Sequence, residues 1–320
     1  MTEAFRVVSY NVRYFGHALK GLASTVISKK AIAQGLAKLE HSPEIICLQE
    51  VETRSIRSTV AHPNGDHGKT QLQSFMAELR LAFSEAGKTS RYEALYFPAH
   101  TYRLRGVNVY TTGLAILIDV DAFEIVENNV ATPERITHHH IQQVQVKGKK
   151  QTRICAHVRL VHRSGQVLHL FNTHLSLPTP FTKAFWTNKS KMGFGPNQVH
   201  EARTLSEFVK THAGSEPFIV CGDFNSPPGS PVYRCLQDEI GWVPAQATLK
   251  QIDDRLPRAF PTAGFMRLRM HLDHLFSGNG VEWLDMKGTY PFGDSASLFH
   301  RLSDHVPLIA RFRIKSAAEI

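Results

Sequence analysis

Cysteine is scarce in this chain: four residues in 320, none of them in a Cys-x-x-Cys pair. Cys47 and Cys221 sit inside apolar runs, Cys155 in an alternating stretch and Cys235 in a helical pattern. Buried free thiols are therefore expected, not a disulfide framework. Long apolar runs are missing too. No stretch approaches the roughly eighteen continuous apolar residues of a transmembrane helix. The opening "MTEAFRVVSYNVRYF" has no basic segment, apolar stretch and small-residue cleavage site in succession. No secretory signal is read there, and a cytoplasmic location is expected. There is no internal repeat, low-complexity tract or linker-like boundary, so residues 1–320 are expected to form one domain. Acids are in deficit: 28 Asp plus Glu against 37 Lys plus Arg, a net charge of +9 and a pI near 9.4. Such a surface attracts polyanions: nucleic acid, anionic membrane or phosphorylated metabolites.

What is present is a long series of short β-branched and aromatic runs. They fall at residues 5–10, 45–48, 92–97, 113–119, 153–161, 167–173, 218–221, 274–277 and 307–314. Helical spacing separates some of them. Ile32, Leu36 and Leu39 share one face; Leu72, Phe75, Met76, Leu79 and Phe83 share another; Leu205, Phe208 and Val209 a third. The stretch around "HRSG" reads as a hairpin. The fold class is α/β, with mixed sheets and flanking helices. Residues 53–69, 98–112 and 177–197 read as long irregular segments, which in compact domains are often functional.

The polar residues fall in a pattern. "VVSYNVRYF" ends a strand with Asn11, and "IICLQEVE" ends one with Glu50. "LHLFNTHLSL" carries Asn172 and His174, and "FIVCGDFNSPP" carries Asp223 and Asn225. "MHLDHLFS" places Asp273 where a run begins, and "LSDHVPLIARF" places Asp304 and His305 before the last strand. Any one of these is an ordinary strand end, since polar residues commonly close strands. Together they offer acids and amides, the ligands a hard divalent cation prefers. Two histidines add charge stabilisation and proton handling. Asp223 and Asn225, two apart on an extended segment, are expected to point to one side.

These six motifs, in this order from Phe5 to Phe312, resemble the endonuclease/exonuclease/phosphatase superfamily. Its members include abasic-site endonucleases, pancreatic-type deoxyribonuclease, neutral sphingomyelinases, inositol-polyphosphate 5-phosphatases and mRNA deadenylases. The resemblance implies a four-layer α/β/β/α sandwich of two mixed β-sheets, with the site at one edge. It implies a phosphoesterase using Mg²⁺ or Mn²⁺. Glu50 is implied as the principal metal ligand, Asn11 as a metal-site or phosphate-orienting residue, and Asp304 as a second metal-side acid. His305 is implied as the histidine that activates water or contacts phosphate, oriented by Asp273. Asp223 is implied to position the attacking water, and Asn225 and His174 to hold phosphate oxygens. Three departures separate the chain from the repair enzymes. Arg13 stands where those often have aspartate, His274 where they commonly have an aromatic, and His174 where many have tyrosine.

Substrate features are weaker. Residues 177–198 interleave Phe181, Phe185, Trp186 and Phe194 with Lys183, Lys189 and Lys191. Stacking aromatics among cations suit unstacked bases; they also suit insertion at a lipid headgroup surface. "HTYRLRG" offers Arg103 and Arg105 as phosphate contacts. His138, His139 and His140 are adjacent, so they cannot all face one ion from a strand. A nucleic-acid phosphodiester is the favoured substrate. A phospholipid or sphingomyelin phosphodiesterase, or a phosphatase of the same superfamily, is the alternative, and a non-catalytic phosphate-binding module a further one.

Overall fold

The computed structural model describes residues 3–16, 26–52, 70–89, 91–104, 107–137, 152–177, 192–252, 260–265 and 267–316. In chain order the strands are β1 (Ala4–Asn11), β2 (Ile45–Val51), β3 (Tyr92–Leu104), β4 (Val107–Asp119), β5 (Phe123–Asn128), β6 (Glu134–Arg135), β7 (Ile154–His162), β8 (Val167–His174), β9 (Phe218–Asp223), β10 (Val243–Pro244), β11 (Ala263–Phe265), β12 (Leu268–Met270), β13 (Asp273–Ser277), β14 (Val281–Asp285) and β15 (Leu308–Ile314). The longer helices are α1 (Val26–Ala37), α2 (Gln71–Glu85) and α3 (Pro196–Ala213). Thr70 caps α2 by accepting from the Gln73 amide, and Gln73 returns the bond to the Thr70 amide. Pro196 opens α3, where a missing N–H costs nothing.

One sheet has the order β14-β15-β1-β2-β4-β3, the other β10-β13-β9-β8-β7-β5, with β6 beside β7. Period-two burial explains the layering. Val7, Cys47 and Ile116 face Ala156, Leu170, Cys221 and Leu275 between the sheets. Their neighbours Val8, Ile46 and Leu117 face α1 and α2, and Phe171, Val220 and Phe276 face α3. Each fully buried Val, Leu, Ile or Phe among them contributes roughly 1.5–3 kcal/mol. The expected α/β/β/α sandwich is what these contacts build. All four cysteines are free and buried, as expected.

Both sheets have the same centre. β1 and β2 are parallel, flanked by antiparallel β15 and β4. β8 and β9 are parallel, flanked by antiparallel β7 and β13. The C-terminal ends of β1, β2, β8 and β9 and the N-terminal ends of β13 and β15 therefore share one edge. Six motifs far apart in sequence converge there by topology alone.

One expectation is corrected. Residues 98–104 and 107–112 are not irregular: they form the outer half of the β3–β4 pair, which is paired from Tyr92↔Asp119 to Leu104↔Val107. Register shifts at Pro98/His100 and Tyr102/Arg103 break the alternation that would have announced it. Residues 53–69 and most of 177–197 lie outside the described residues.

Gly222 is the tightest point of the central pair. Its φ is +146°, and a Cβ there would lie 2.0 Å from the Thr173 carbonyl oxygen. Gly222→Ala should lower stability by roughly 1–3 kcal/mol. Urea denaturation of the two proteins checks this, and an unchanged midpoint would contradict the close packing of β8 on β9.

Candidate active site

Asp223 ends β9 and is 2% exposed. Its Oδ2 accepts from Asn11 Nδ2 at 3.1 Å and lies 3.4 Å from His174 Nε2 and 3.7 Å from His305 Nε2. Its Oδ1 accepts from the Asn225 amide at 2.9 Å. Burial pushes the carboxyl upward, with Asp273 and Glu50 adding to the push, while His305 and the Asn225 amide oppose it. The donors come from four separate elements, so the sandwich must close before this group is accommodated.

Asn225 differs from the extended geometry expected of it. Its φ is +48°, in the left-handed region that asparagine tolerates better than most. The turn lets its amide reach back to Asp223, while its Nδ2 donates to the Leu175 carbonyl at 2.9 Å. Phe224 between them is buried in the α3-side core.

Glu50 also has positive φ, at +55°, where the β2–β4 register shifts between Leu48 and Val51. The bulge turns its half-buried side chain to the edge, where Asn11 Nδ2 meets Oε1 at 3.2 Å. Asn11 is thus a bridge. Its amide nitrogen serves Glu50 and Asp223, and its Oδ1 accepts from the Arg13 amide at 3.0 Å.

The turn after β1 holds Arg13, Tyr14 and Phe15 all at positive φ, between +42° and +56°. Three such non-glycine residues in a row are costly and persist only where the surroundings fix them. Tyr14 and Phe15 are buried, and the Arg13 guanidinium forms an ion pair with Asp304 Oδ2. Asp304 therefore has a cationic partner within the chain.

His305 Nδ1 faces both oxygens of Asp273, at 3.1 and 2.9 Å. Asp273 is fixed in turn by the Thr262 hydroxyl, which donates to Oδ2 at 2.6 Å and accepts from the Leu272 and Asp273 amides. Val306 N donates to Thr262 O and Gly264 N to Asp304 O, so the β11 segment anchors the His305 loop. Burial disfavours charge on His305, but Asp273, Asp223 and Asp304 outweigh it and hold the imidazole well above its usual range. His174 moves the other way, lowered by burial, by Arg153 and by His305.

The edge therefore brings together Asn11, Glu50, His174, Asp223, Asn225, Asp273, Asp304 and His305. Asn172 belongs elsewhere. It accepts from Gln49 Nε2 at 2.8 Å and donates to the Leu48 and Ala115 carbonyls, stitching the two sheets behind the site. Thr262 and Arg153 had no sequence signal, since each lies outside the six motifs. Arg103 lies on β3, and nothing is described of its side chain; Arg105, Lys183, Trp186 and Lys189, like His138 to His140, lie outside the described residues.

Among the described residues two groups of atoms are candidates for a cation. Asp223, Asp273 and His305 each present a ligand atom within 4.8 Å of the others. The half-buried Glu50 carboxylate is the other, beside Asn11. Such a carboxylate, with room for water and a phosphate oxygen, fits the sparse protein ligation of Mg²⁺.

A two-sheet sandwich with acids, amides and a carboxylate-held histidine at one edge defines a phosphoester-hydrolysing class of site. Residues 8–305 match the Endonuclease/Exonuclease/phosphatase family, and the chain belongs to it. It is a phosphoesterase. Solved structures repeat the fold. The human Nocturnin catalytic domain with bound sulfate is 20% identical at a TM-score of 0.62, covering 98% of this chain and 94% of that one. ANGEL2, a 2',3'-cyclic phosphatase, is 15% identical at 0.64, covering 98% and 96%. A Bacteroides thetaiotaomicron mannosyl-6-phosphatase is 17% identical at 0.57, covering 96% and 99%. No curated protein matches the chain by sequence.

His271 supports the site from behind. Its Nδ1 faces the Phe260 carbonyl at 2.6 Å and its Nε2 the Gln246 amide at 3.3 Å, and that amide also donates to Asp273 O. Burial lowers His271 from its ordinary 6.5 to about 4. Between these values the unfolded chain binds a proton that the fold refuses, so stability falls as pH falls, at up to about 1.4 kcal/mol per pH unit. Urea unfolding from pH 7 to 5 should show a shallower pH slope in His271→Gln than in wild type. Equal slopes would contradict a neutral buried His271.

Proposed function

We propose that the chain is a divalent-metal-dependent phosphodiesterase that hydrolyses nucleic acid by in-line attack of water. The observation that carries this reading is the Asp223 carboxylate, buried among Asn11, His174, His305 and the Asn225 amide. Glu50 would hold the cation, Mg²⁺ or Mn²⁺. The Asp223, Asp273 and His305 cluster suits an ion less well, because His305 Nδ1 and the Thr262 hydroxyl already use the Asp273 carboxylate. Asp304, paired with Arg13, closes the charge on its side. The bound cation would neutralise charge on a phosphate oxygen.

The remaining steps belong to the chain itself. His305 is held as imidazolium by its carboxylates, so it donates through Nε2 to phosphate and does not take a proton. Asp223 is left to align the water and accept its proton, and burial makes it the better acceptor. His174 and Asn225 border the same carboxylate and complete the cradle for phosphate oxygens. These donors are fixed before substrate arrives, which makes them effective against charge developing in the transition state.

Nucleic acid is favoured by the net charge of +9 and by the lysine- and aromatic-rich segment at residues 177–198. A lipid phosphodiester is the second reading. Leu177 and Phe194, which belong to that segment, are 54% and 45% exposed, as a surface inserting into headgroups would require. The similar proteins are named for cyclic phosphate and mannosyl phosphate substrates, which keeps small phosphoesters in the comparison. A cytoplasmic enzyme acting as one domain completes the reading.

A panel of labelled single-stranded and duplex DNA, RNA, sphingomyelin and sugar phosphates, each with Mg²⁺ and with chelator, tests it. Metal-dependent cleavage of a nucleic acid is expected; equal rates in chelator would exclude the metal role. Glu50→Gln should weaken Mn²⁺ binding in calorimetry and cost several kcal/mol of transition-state stabilisation. Unchanged Mn²⁺ affinity would remove Glu50 from the metal.

The water-side pair makes a separate prediction. Asp223→Asn and His305→Ala should each lower kcat by roughly 10²–10⁴. The double variant should lose little more, because groups acting as a unit are non-additive. Multiplicative losses in single-turnover kinetics would show that the two act independently.

A further inference from the structure

Arg153 lies immediately before β7 and is 7% exposed. β7 and β8 pair through Cys155↔Thr173. Extending that register sets Arg153 level with Leu175, the residue after His174, about 4.8 Å away across the strand gap. Its main chain is pinned: the amide donates to Thr137 Oγ1, and the carbonyl accepts from Ile136 N at 3.1 Å. The preceding Thr152 amide points at His100 Nδ1 on β3, at 3.5 Å. Arg153 therefore lies where the second sheet's reactive edge meets the β3–β4 hairpin of the first.

A guanidinium is always charged in a protein, and a buried charge without a partner costs several kcal/mol. Other arginines of this chain meet that demand. Arg13 pairs with Asp304, Arg159 with Glu216, Arg311 with Asp285 and Arg313 with Glu282. Among the described residues Arg153 pairs with no carboxylate, and its Nε has no acceptor. Residues 138–151 and 178–191, which adjoin β7 and β8 in the chain, contain no Asp or Glu at all. They carry Lys147, Lys149, Lys150, Lys183, Lys189 and Lys191 instead. The positive charge also reaches two histidines: His174 and His100 are both lowered, by burial first and then by Arg153.

We propose that Arg153 is a phosphate-binding residue of the site, its buried guanidinium taking non-reacting phosphate oxygens of the substrate on the His174 side. The planar fork of donors matches two oxygens of a tetrahedral phosphate, which a point charge does not. The ligand supplies the missing counter-charge, so the cost of burying Arg153 in the free protein returns as affinity for the anion. This rests on the phosphoester reading of the site but concerns binding, which is measurable without turnover.

The probe is inorganic phosphate, titrated calorimetrically into metal-free wild type, Arg153→Gln, Arg153→Lys and a control at Arg135, an exposed arginine on β6, as Arg135→Gln. Arg153→Gln should weaken phosphate binding at least tenfold, Arg153→Lys less, and Arg135→Gln by under twofold. Equal affinity in wild type and folded Arg153→Gln would overturn the proposal. Should Arg153→Gln fail to fold, arginine Nε–Hε resonances of the wild-type protein decide. The one missing from Arg153→Lys should shift with phosphate, and an unmoved resonance would overturn the assignment. Phosphate binding through Arg153 without hydrolysis of any phosphoester would refute the enzymatic reading and leave this one standing. Hydrolysis with the same phosphate inhibition in Arg153→Gln as in wild type would do the reverse.

Discussion

A carboxylate at the end of a buried strand must be stabilised or protonated, and Asp223 makes that demand on the whole sandwich. Its neighbours come from β1, β8, the turn after β9 and the loop before β15. None is close in sequence except Asn225. The parallel pairs β1–β2 and β8–β9 deliver the first of these groups, and antiparallel β13 and β15 return the others to the same edge. The backbone conforms around it. Glu50 and Asn225 adopt positive φ, and Gly222 passes within touching distance of Thr173. Five of the seven positive-φ non-glycine residues among the described ones, Arg13, Tyr14, Phe15, Glu50 and Asn225, lie at or beside this edge, as a preorganised site requires.

The constellation divides into two balanced sides. On one, Asp273 and Thr262 fix His305, and the carboxylates of Asp273, Asp223 and Asp304 favour its charged form against burial. On the other, Glu50 keeps a half-buried carboxylate with one amide neighbour, open to a cation. Arg13 stands between them, neutralising Asp304 from a turn of three left-handed residues. The substitution of a cation for the acid common in repair enzymes thus has a local consequence: the acid at Asp304 is satisfied within the chain. The Arg153 guanidinium, by contrast, pairs with no carboxylate among the described residues, which leaves it for the phosphate contact proposed above.

Much of this was legible in the sequence because motif and strand end coincide. Asn11, Glu50, Asp223, Asp273 and Asp304 each follow or precede a short apolar run. The α2 stripe was legible from Leu72, Phe75, Met76, Leu79 and Phe83 at helical spacing. The β3–β4 extension was not, because two register shifts erase its period. Nor were Thr262 and Arg153, whose roles depend on what the topology sets beside them. Asn172 shows the converse. It sits two residues before His174 on the same face of β8, one step further from the edge, where its amide meets Gln49 and the Leu48 carbonyl of the other sheet.

The proposed chemistry turns on water attacking phosphorus at this edge. Hydrolysis of a phosphodiester in ¹⁸O-labelled water, with Mg²⁺ and under single-turnover conditions, reports that bond by mass spectrometry. One ¹⁸O atom in the phosphate product and none in the released alcohol is the predicted result. Label in the alcohol, or turnover that places no label on phosphorus, would contradict the mechanism drawn from Asp223 and His305.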